Sequence, residues 1–156
     1  MTADKKIDNV KPYMIGSMIM DFIGCFVLFI GDFIRVYYAY DSDFSSLFDP
    51  QEILFEVFTY LIGILLLIDI LLCAKWLRNP STDKLTIIFI MIIMQSILFG
   101  LSLVAFGYIM NIYISTWHAG IGFIGSGVSA IASLIFYDMM INEIKKTAWL
   151  NRSTSN

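Results

Sequence analysis

The stretch LTIIFIMIIMQSILFGLSLVAFGYI, residues 85–109, decides the fold class of the chain. Its 25 residues include no charged side chain, and most of them are large and apolar. A helix needs about 20 mostly apolar residues to cross the hydrocarbon core of a lipid bilayer. The stretch therefore predicts a transmembrane helix, and we place the whole span at residues 85–113.

Three more stretches meet the same criterion, at residues 12–38, 53–77 and 119–144. The chain of 156 residues is 58% hydrophobic, with a mean hydropathy of +0.78. A soluble protein of this size could not bury so much apolar surface. Because short segments join the spans, neighbouring spans are expected to pack in opposite directions. We predict an all-α integral membrane protein, with residues 1–156 forming a single domain, an antiparallel bundle of four transmembrane helices.

The distribution of positive charge predicts the orientation of the bundle. Of the ten Lys and Arg residues, nine flank span ends on one side, and the opposite side carries mainly acidic residues. Positively charged flanks mark the cytosolic side of membrane proteins, so both termini are expected in the cytosol. The nine residues are Lys5, Lys6, Lys11, Lys75, Arg78, Lys84, Lys145, Lys146 and Arg152.

The start of span four, HAGIGFIGSGVSA at residues 118–130, contains the pattern G-x-G-x-x-G. A dinucleotide site needs a strand before this pattern and an acidic residue about 20 positions later, and neither is predicted here. Small residues four apart instead allow two membrane helices to approach closely. These small residues are expected to form a groove along span four that receives another helix of this chain or a helix of a partner. The predicted packing residues are Gly120, Gly122, Gly125, Ser126, Gly127, Ser129, Ala130 and Ser133.

Each span carries one polar residue in its cytosolic half, namely Asp21, Asp69, Gln95 and Asp138. A carboxylate at the centre of a bilayer costs about 2.5–3.5 kcal/mol on insertion scales. Two interpretations stay open: a buried hydrogen-bonded cluster that fixes helix packing, or a site for a proton or another cation. The helical phase of Asp69 relative to the other polar residues of its span counts against a single cluster, and one of the acids is expected to face elsewhere.

Near the outer end of span one, Asp32 and Arg35 are three residues apart, which is close enough for an ion pair on a helix. Cys25 and Cys73 lie within apolar runs and are expected to be small buried residues without a disulfide. No motif of a known nucleophile, zinc site or acid–base pair is present. We therefore expect no enzyme activity, no catalytic residue, no metal site and no cofactor.

The end of span four, GSGVSAIASLIFYD at residues 125–138, resembles the last span of small insect septate-junction proteins of the snakeskin type. Four spans with short connections are also similar to MARVEL-type membrane proteins in general. Claudins and tetraspanins are less similar, because the chain lacks their W-x-x-W and C-C-G motifs. The resemblance implies lateral assembly or membrane organisation, and it implies no catalytic residues.

Two functional hypotheses follow. The first is a non-enzymatic four-span protein that acts by lateral helix–helix assembly, mainly through span four, as a membrane or junction organiser or an accessory subunit. The alternative is a small proton- or cation-coupled transporter or channel subunit that uses the intramembrane carboxylates. The expected surroundings are the lipid bilayer of the plasma membrane rather than an endosomal or lysosomal membrane. The expected partners are other membrane proteins or a second copy of the chain, and not nucleic acid.

Overall fold

The computed structural model describes residues 8–39, 50–80, 85–112 and 121–153. This part of the chain contains four long helices and no strand. Gly120 and the side chains of Asp32 and Arg35 lie outside the described part, so the ion pair stays a prediction. The helices are α1 (Lys11–Ala39), α2 (Pro50–Arg78), α3 (Leu85–Ile112) and α4 (Ile121–Ser153).

All four helices are long and apolar enough to cross a membrane, which confirms the all-α fold class and supports a multi-pass membrane protein. The α4 helix continues past the predicted span end at Ile144 to Ser153. The residues after Ile144 include two lysines, which end the apolar span, but no Gly or Pro that would end the helix. The apolar segments are Lys11–Gly31, Glu56–Arg78, Thr86–Tyr108 and Ile121–Lys146.

Proline marks both ends of α2. Pro50 is its first residue, where the missing N–H is no loss and the fixed φ angle suits a helix. The helix ends at Arg78, and Pro80 follows two residues later. A residue before proline is disfavoured in helical conformation, so Asn79 closes the last turn. Its N–H lies 3.3 Å from the Lys75 oxygen and 3.2 Å from the Trp76 oxygen.

The helices form a ring in the order α1, α4, α3, α2. The α4 helix packs against α1 and α3, and α2 also packs against α1 and α3. The interface between α1 and α4 is the most extensive of the four. Along it, a Cβ atom added at Gly16 would meet Phe136, one at Gly24 would meet Ser129, and one at Gly31 would meet Gly122.

The apolar interior of the ring consists of two separate clusters. One includes Leu28, Leu66, Leu98 and Ala130, and the other includes Met14, Cys73, Met91 and Tyr137. On each helix, a polar residue stands in the sequence between a member of the first cluster and a member of the second. The fold therefore places a polar layer between two apolar layers.

Candidate functional site

The polar layer takes at least one side chain from each of the four helices. Asp21 comes from α1, Asp69 from α2 and Gln95 from α3, while α4 supplies Ser133 and Tyr137. Each of these five side chains is at most 1% exposed. Since all four helices contribute, the layer fixes the rotation of every helix about its own axis.

The amide of Gln95 connects the two acids. Its Nε2 atom donates to Asp21 Oδ1 at 2.9 Å and to Asp69 Oδ2 at 2.8 Å. A glutamine amide has two N–H donors, so both are used in this bridge. The α3 helix is thereby tied to α1 and α2 through a single side chain.

Two hydroxyl groups of α4 complete the bonds to the acids. The Ser133 hydroxyl donates to Asp21 Oδ1 at 2.9 Å and has a longer contact of 3.3 Å with the Ser17 carbonyl oxygen. The Tyr137 hydroxyl donates to Asp69 Oδ2 at 2.5 Å. Cys73 Sγ lies 3.3 Å from the same tyrosine oxygen. Because the single hydroxyl proton of Tyr137 is used on Asp69, the Cys73 thiol is the donor in that contact.

Several oxygens in the layer, and one on Ser17 a helical turn away, have no hydrogen-bond partner. They are Asp21 Oδ2, Asp69 Oδ1, Gln95 Oε1 and Ser17 Oγ, all of them buried. One carboxylate oxygen of each acid and Cys73 Sγ lie within 4.8 Å of one another. The ion pair found within the described residues joins Lys11 and Asp8, so no salt bridge there neutralises either buried acid. The layer can therefore hold a proton or another small cation.

The structure brings Asp21, Asp69 and Gln95 together but places Asp138 outside. The Asp138 side chain is exposed and accepts a hydrogen bond from Asn142 Nδ2 at 3.0 Å. Its neighbour Tyr137 occupies the inner position, and consecutive residues of a helix point about 100° apart. Asp138 therefore does not share the site of the other two acids.

Asp69 is in the interior, contrary to the expectation from helical phase. That expectation took the polar residues of span two as its inner face, but Glu56 is exposed. The buried face is instead defined mainly by apolar residues at spacings of three and four. Among the side chains that the structure describes, the buried positions of α2 are Thr59, Ile62, Gly63, Leu66, Asp69, Ile70, Cys73 and Trp76.

The predicted small residues of α4 form a seam with α1. A Cβ atom added at Gly31 would lie 2.8 Å from the backbone nitrogen of Gly122. One added at Gly122 would lie 3.1 Å from the carbonyl oxygen of Leu28. A Cβ atom added at Gly24 would meet the side chain of Ser129, and one added at Gly125 would meet the side chain of Val27. Glycine is required at Gly31 and Gly122 because the two backbones touch there.

A second set of small residues of α4 contacts α3. The hydroxyl oxygens of Ser102 and Ser126 are 3.0 Å apart, and Ser126 also donates to the Phe123 carbonyl at 2.9 Å. The proton between the two serines therefore belongs to Ser102. A Cβ atom added at Gly127 would lie 3.4 Å from Ser102 Cβ. The small residues of α4 thus receive two helices of the same chain, and Ala130 is fully buried among them.

Sequence reasoning did not single out Tyr137 and Cys73 as parts of the site. Tyr137 is four residues after Ser133, which donates to Asp21, and Cys73 is four residues after the acid Asp69. Each therefore lies one helical turn from another residue of the site. Since such residues share a helix face, this spacing was the available signal.

No family model matches the chain, and no curated protein or solved structure is significantly similar to it.

Proposed function

We propose that this chain is a non-enzymatic four-span membrane protein that acts by lateral helix–helix assembly, as a membrane or junction organiser or an accessory subunit of a complex. In this proposal the helices form an antiparallel bundle in the plasma membrane with both termini in the cytosol. The register along α1 and α4 supports it, since residue numbers rise along one helix as they fall along the other. The Lys and Arg residues at one end of the bundle support the orientation.

The surface that we assign to a partner is on α3 rather than on α4. The small residues of α4 are already occupied by α1 and α3. On α3, by contrast, a Cβ atom added at Gly100 or Gly107 would have no neighbouring atom within 4 Å. Both glycines are exposed. This open glycine surface is the observation that carries the proposal.

Ser96, Gly100, Val104 and Gly107 are spaced by four, four and three residues and so share one side of the helix, which we call the outer α3 face. Ser96 is exposed there and donates its hydroxyl to the Ile92 carbonyl at 2.8 Å. The hydroxyl proton of Ser96 therefore has an acceptor within its own helix and needs none from a partner protein. A neighbouring helix can approach this face closely, and close packing is what drives helix association in a bilayer.

The burial of the spans also favours α3 as the partner helix. Only 28% of its apolar segment is buried inside the protein, compared with 39% for each of the other three spans. The α3 helix therefore leaves the largest share of its surface for contacts outside the bundle. The partner that fits this surface is a single apolar membrane helix, from another protein or from a second copy.

Co-purification with and without bulky substitutions tests the proposal. The tagged full-length chain is isolated from native membranes in mild detergent, as wild type, as Gly100→Leu/Gly107→Leu and as Val128→Leu. Val128 is 57% exposed on α4 and so is a matched outward position. We expect recovery of the partner, or of an untagged second copy, to fall about tenfold or more in the glycine variant, equivalent to about 1.4 kcal/mol. Equal recovery from all three proteins would contradict the proposal.

A second candidate function is a small proton- or cation-coupled transporter or channel subunit. The buried acid pair in the middle of the four helices favours it, because intramembrane acids often belong to ion pathways. We expect such a protein to show flux in proteoliposomes that Asp21→Asn abolishes and Asp138→Asn preserves. Purified protein without flux would exclude this candidate and leave lateral assembly in place.

A further inference from the structure

We infer that Asp21 and Asp69 together bind one monovalent cation, a proton or a sodium ion, between the carboxyl oxygens that the surrounding hydrogen bonds leave free. This inference goes beyond lateral assembly and does not depend on it. It deepens the second candidate function, but a bound cation does not require that the cation crosses the membrane.

The hydrogen bonds to the two acids divide their oxygens into two kinds. Asp21 Oδ1 accepts from Gln95 and Ser133, and Asp69 Oδ2 accepts from Gln95 and Tyr137. The other oxygen of each carboxyl group has no partner although it is fully buried. Since buried polar atoms in folded proteins are nearly always bonded, two carboxyl oxygens without a donor in one layer favour the binding of a proton or another cation there.

A third helix and a hydroxyl group add to the same set. The Ser17 hydroxyl is 0% exposed, has no hydrogen-bond partner and stands one helical turn before Asp21 on α1. Cys73 Sγ lies within 4.8 Å of an oxygen of each acid. Gln95 contributes another buried oxygen without a partner. Carboxyl, amide and hydroxyl oxygens are the ligands of hard cations, whereas the single sulfur already donates its proton to Tyr137.

The charge of the layer also calls for one cation. The ionisable groups that face it are Asp21 from α1, Asp69 and Cys73 from α2, and Tyr137 from α4, while α3 supplies the neutral Gln95. None of them carries positive charge. Two carboxylates this close repel each other strongly in a medium of low dielectric constant. One cation removes that repulsion, and the donated hydrogen bonds stabilise the remaining negative charge.

Infrared difference spectroscopy of the full chain in lipid nanodiscs tests the inference. In one titration the pH is raised from about 6, where exposed carboxyl groups are already ionised, to about 11 at constant sodium, and in the other sodium replaces choline at constant pH. If the ligand is a proton, the carbonyl band of a protonated carboxyl group disappears as the pH rises, and sodium has no effect. If the ligand is sodium, the carboxylate bands shift saturably with sodium. Either result supports the inference and identifies the cation.

Three variants assign the signal. Asp21→Asn/Asp69→Asn is expected to lose the signal completely, and Asp138→Asn is expected to keep it in full. Tyr137→Phe removes only one donor to Asp69, so it is expected to shift the band without deleting it, which provides a test if the double variant does not fold. An absence of change in both titrations would overturn the inference, and so would a signal that the double variant retains. Failure of the flux experiment would leave it standing.

Discussion

The seam between α1 and α4 and the outer α3 face both contain glycine and serine, but the seam is covered by a neighbouring helix and the outer face is not. A Cβ atom at Gly31 would lie 2.8 Å from a backbone nitrogen, whereas a Cβ atom at Gly100 would touch nothing within 4 Å. Both regions fit the small-residue spacing that is typical of packed membrane helices. The comparison teaches that this spacing predicts close approach, while the neighbouring helices decide whether the approach is internal or external.

The largest expected effect is the difference in stability between a Gly→Leu substitution in the seam and the same substitution on the outer α3 face. Gly31→Leu should lower the free energy of unfolding by about 3 kcal/mol or more, because an overpacked site must displace the backbone of α4. Gly100→Leu should leave that free energy nearly unchanged. Unfolding in mixed micelles, followed by circular dichroism, measures both. Equal losses of stability would mean that the seam and the outer face do not differ as described.

Adjacent residues of α3 sharpen the comparison within one helix. Gln95→Leu removes the two hydrogen bonds that Gln95 donates to Asp21 and Asp69. It should lower the free energy of unfolding by about 1–3 kcal/mol, the usual effect of leaving buried polar groups unpaired. Ser96→Ala removes an exposed hydroxyl that bonds only to its own helix. It should change stability by less than about 0.5 kcal/mol. A larger loss for Ser96→Ala than for Gln95→Leu would reverse the assignment of inner and outer faces.

A weaker effect is expected where α3 meets α4. Ser126→Ala removes the hydrogen bond with Ser102 and should cost about 0.6 kcal/mol, the average for such bonds between membrane helices. A double-mutant cycle with Ser102→Ala measures the coupling between the two residues. Additive effects of the two substitutions would show that the hydroxyl groups do not interact.

The smallest expected effect has the opposite sign. Gly100→Ala should stabilise the isolated protein by about 0.5 kcal/mol, because alanine favours a helix and the added methyl group meets no atom. The same unfolding experiment measures it, with Gly31→Ala as the matched variant in the seam. Destabilisation by Gly100→Ala would place an unrecognised neighbour at this position.

Much of the fold followed from local features of the sequence. Long uncharged stretches predict spans because the bilayer imposes a length and a polarity on any helix that crosses it. The four intramembrane polar residues Asp21, Asp69, Gln95 and Asp138 could be singled out because polar side chains are rare in such stretches. Asp138 was grouped with them, and only the placement of Tyr137 in the interior shows why it lies outside.

What could not be predicted depends on the rotation and the neighbours of each helix. The inner face of α2 is mostly apolar, so its polar residues did not reveal the position of Asp69. The glycines of α3 stand alone among large residues, so they lack the density that made α4 conspicuous. Whether a small residue faces its own bundle or the outside is a property of the assembled ring and not of any one span.

Site-specific photocrosslinking in native membranes tests the assembly claim most directly. A photoreactive amino acid replaces Val104 on the outer α3 face in one protein and Val128 on α4 in another. The two positions are 60% and 57% exposed, so they present the reagent almost equally. We predict a protein–protein adduct from position 104 and only lipid adducts from position 128. Protein adducts in equal yield from both positions, or from position 128 alone, would contradict the account.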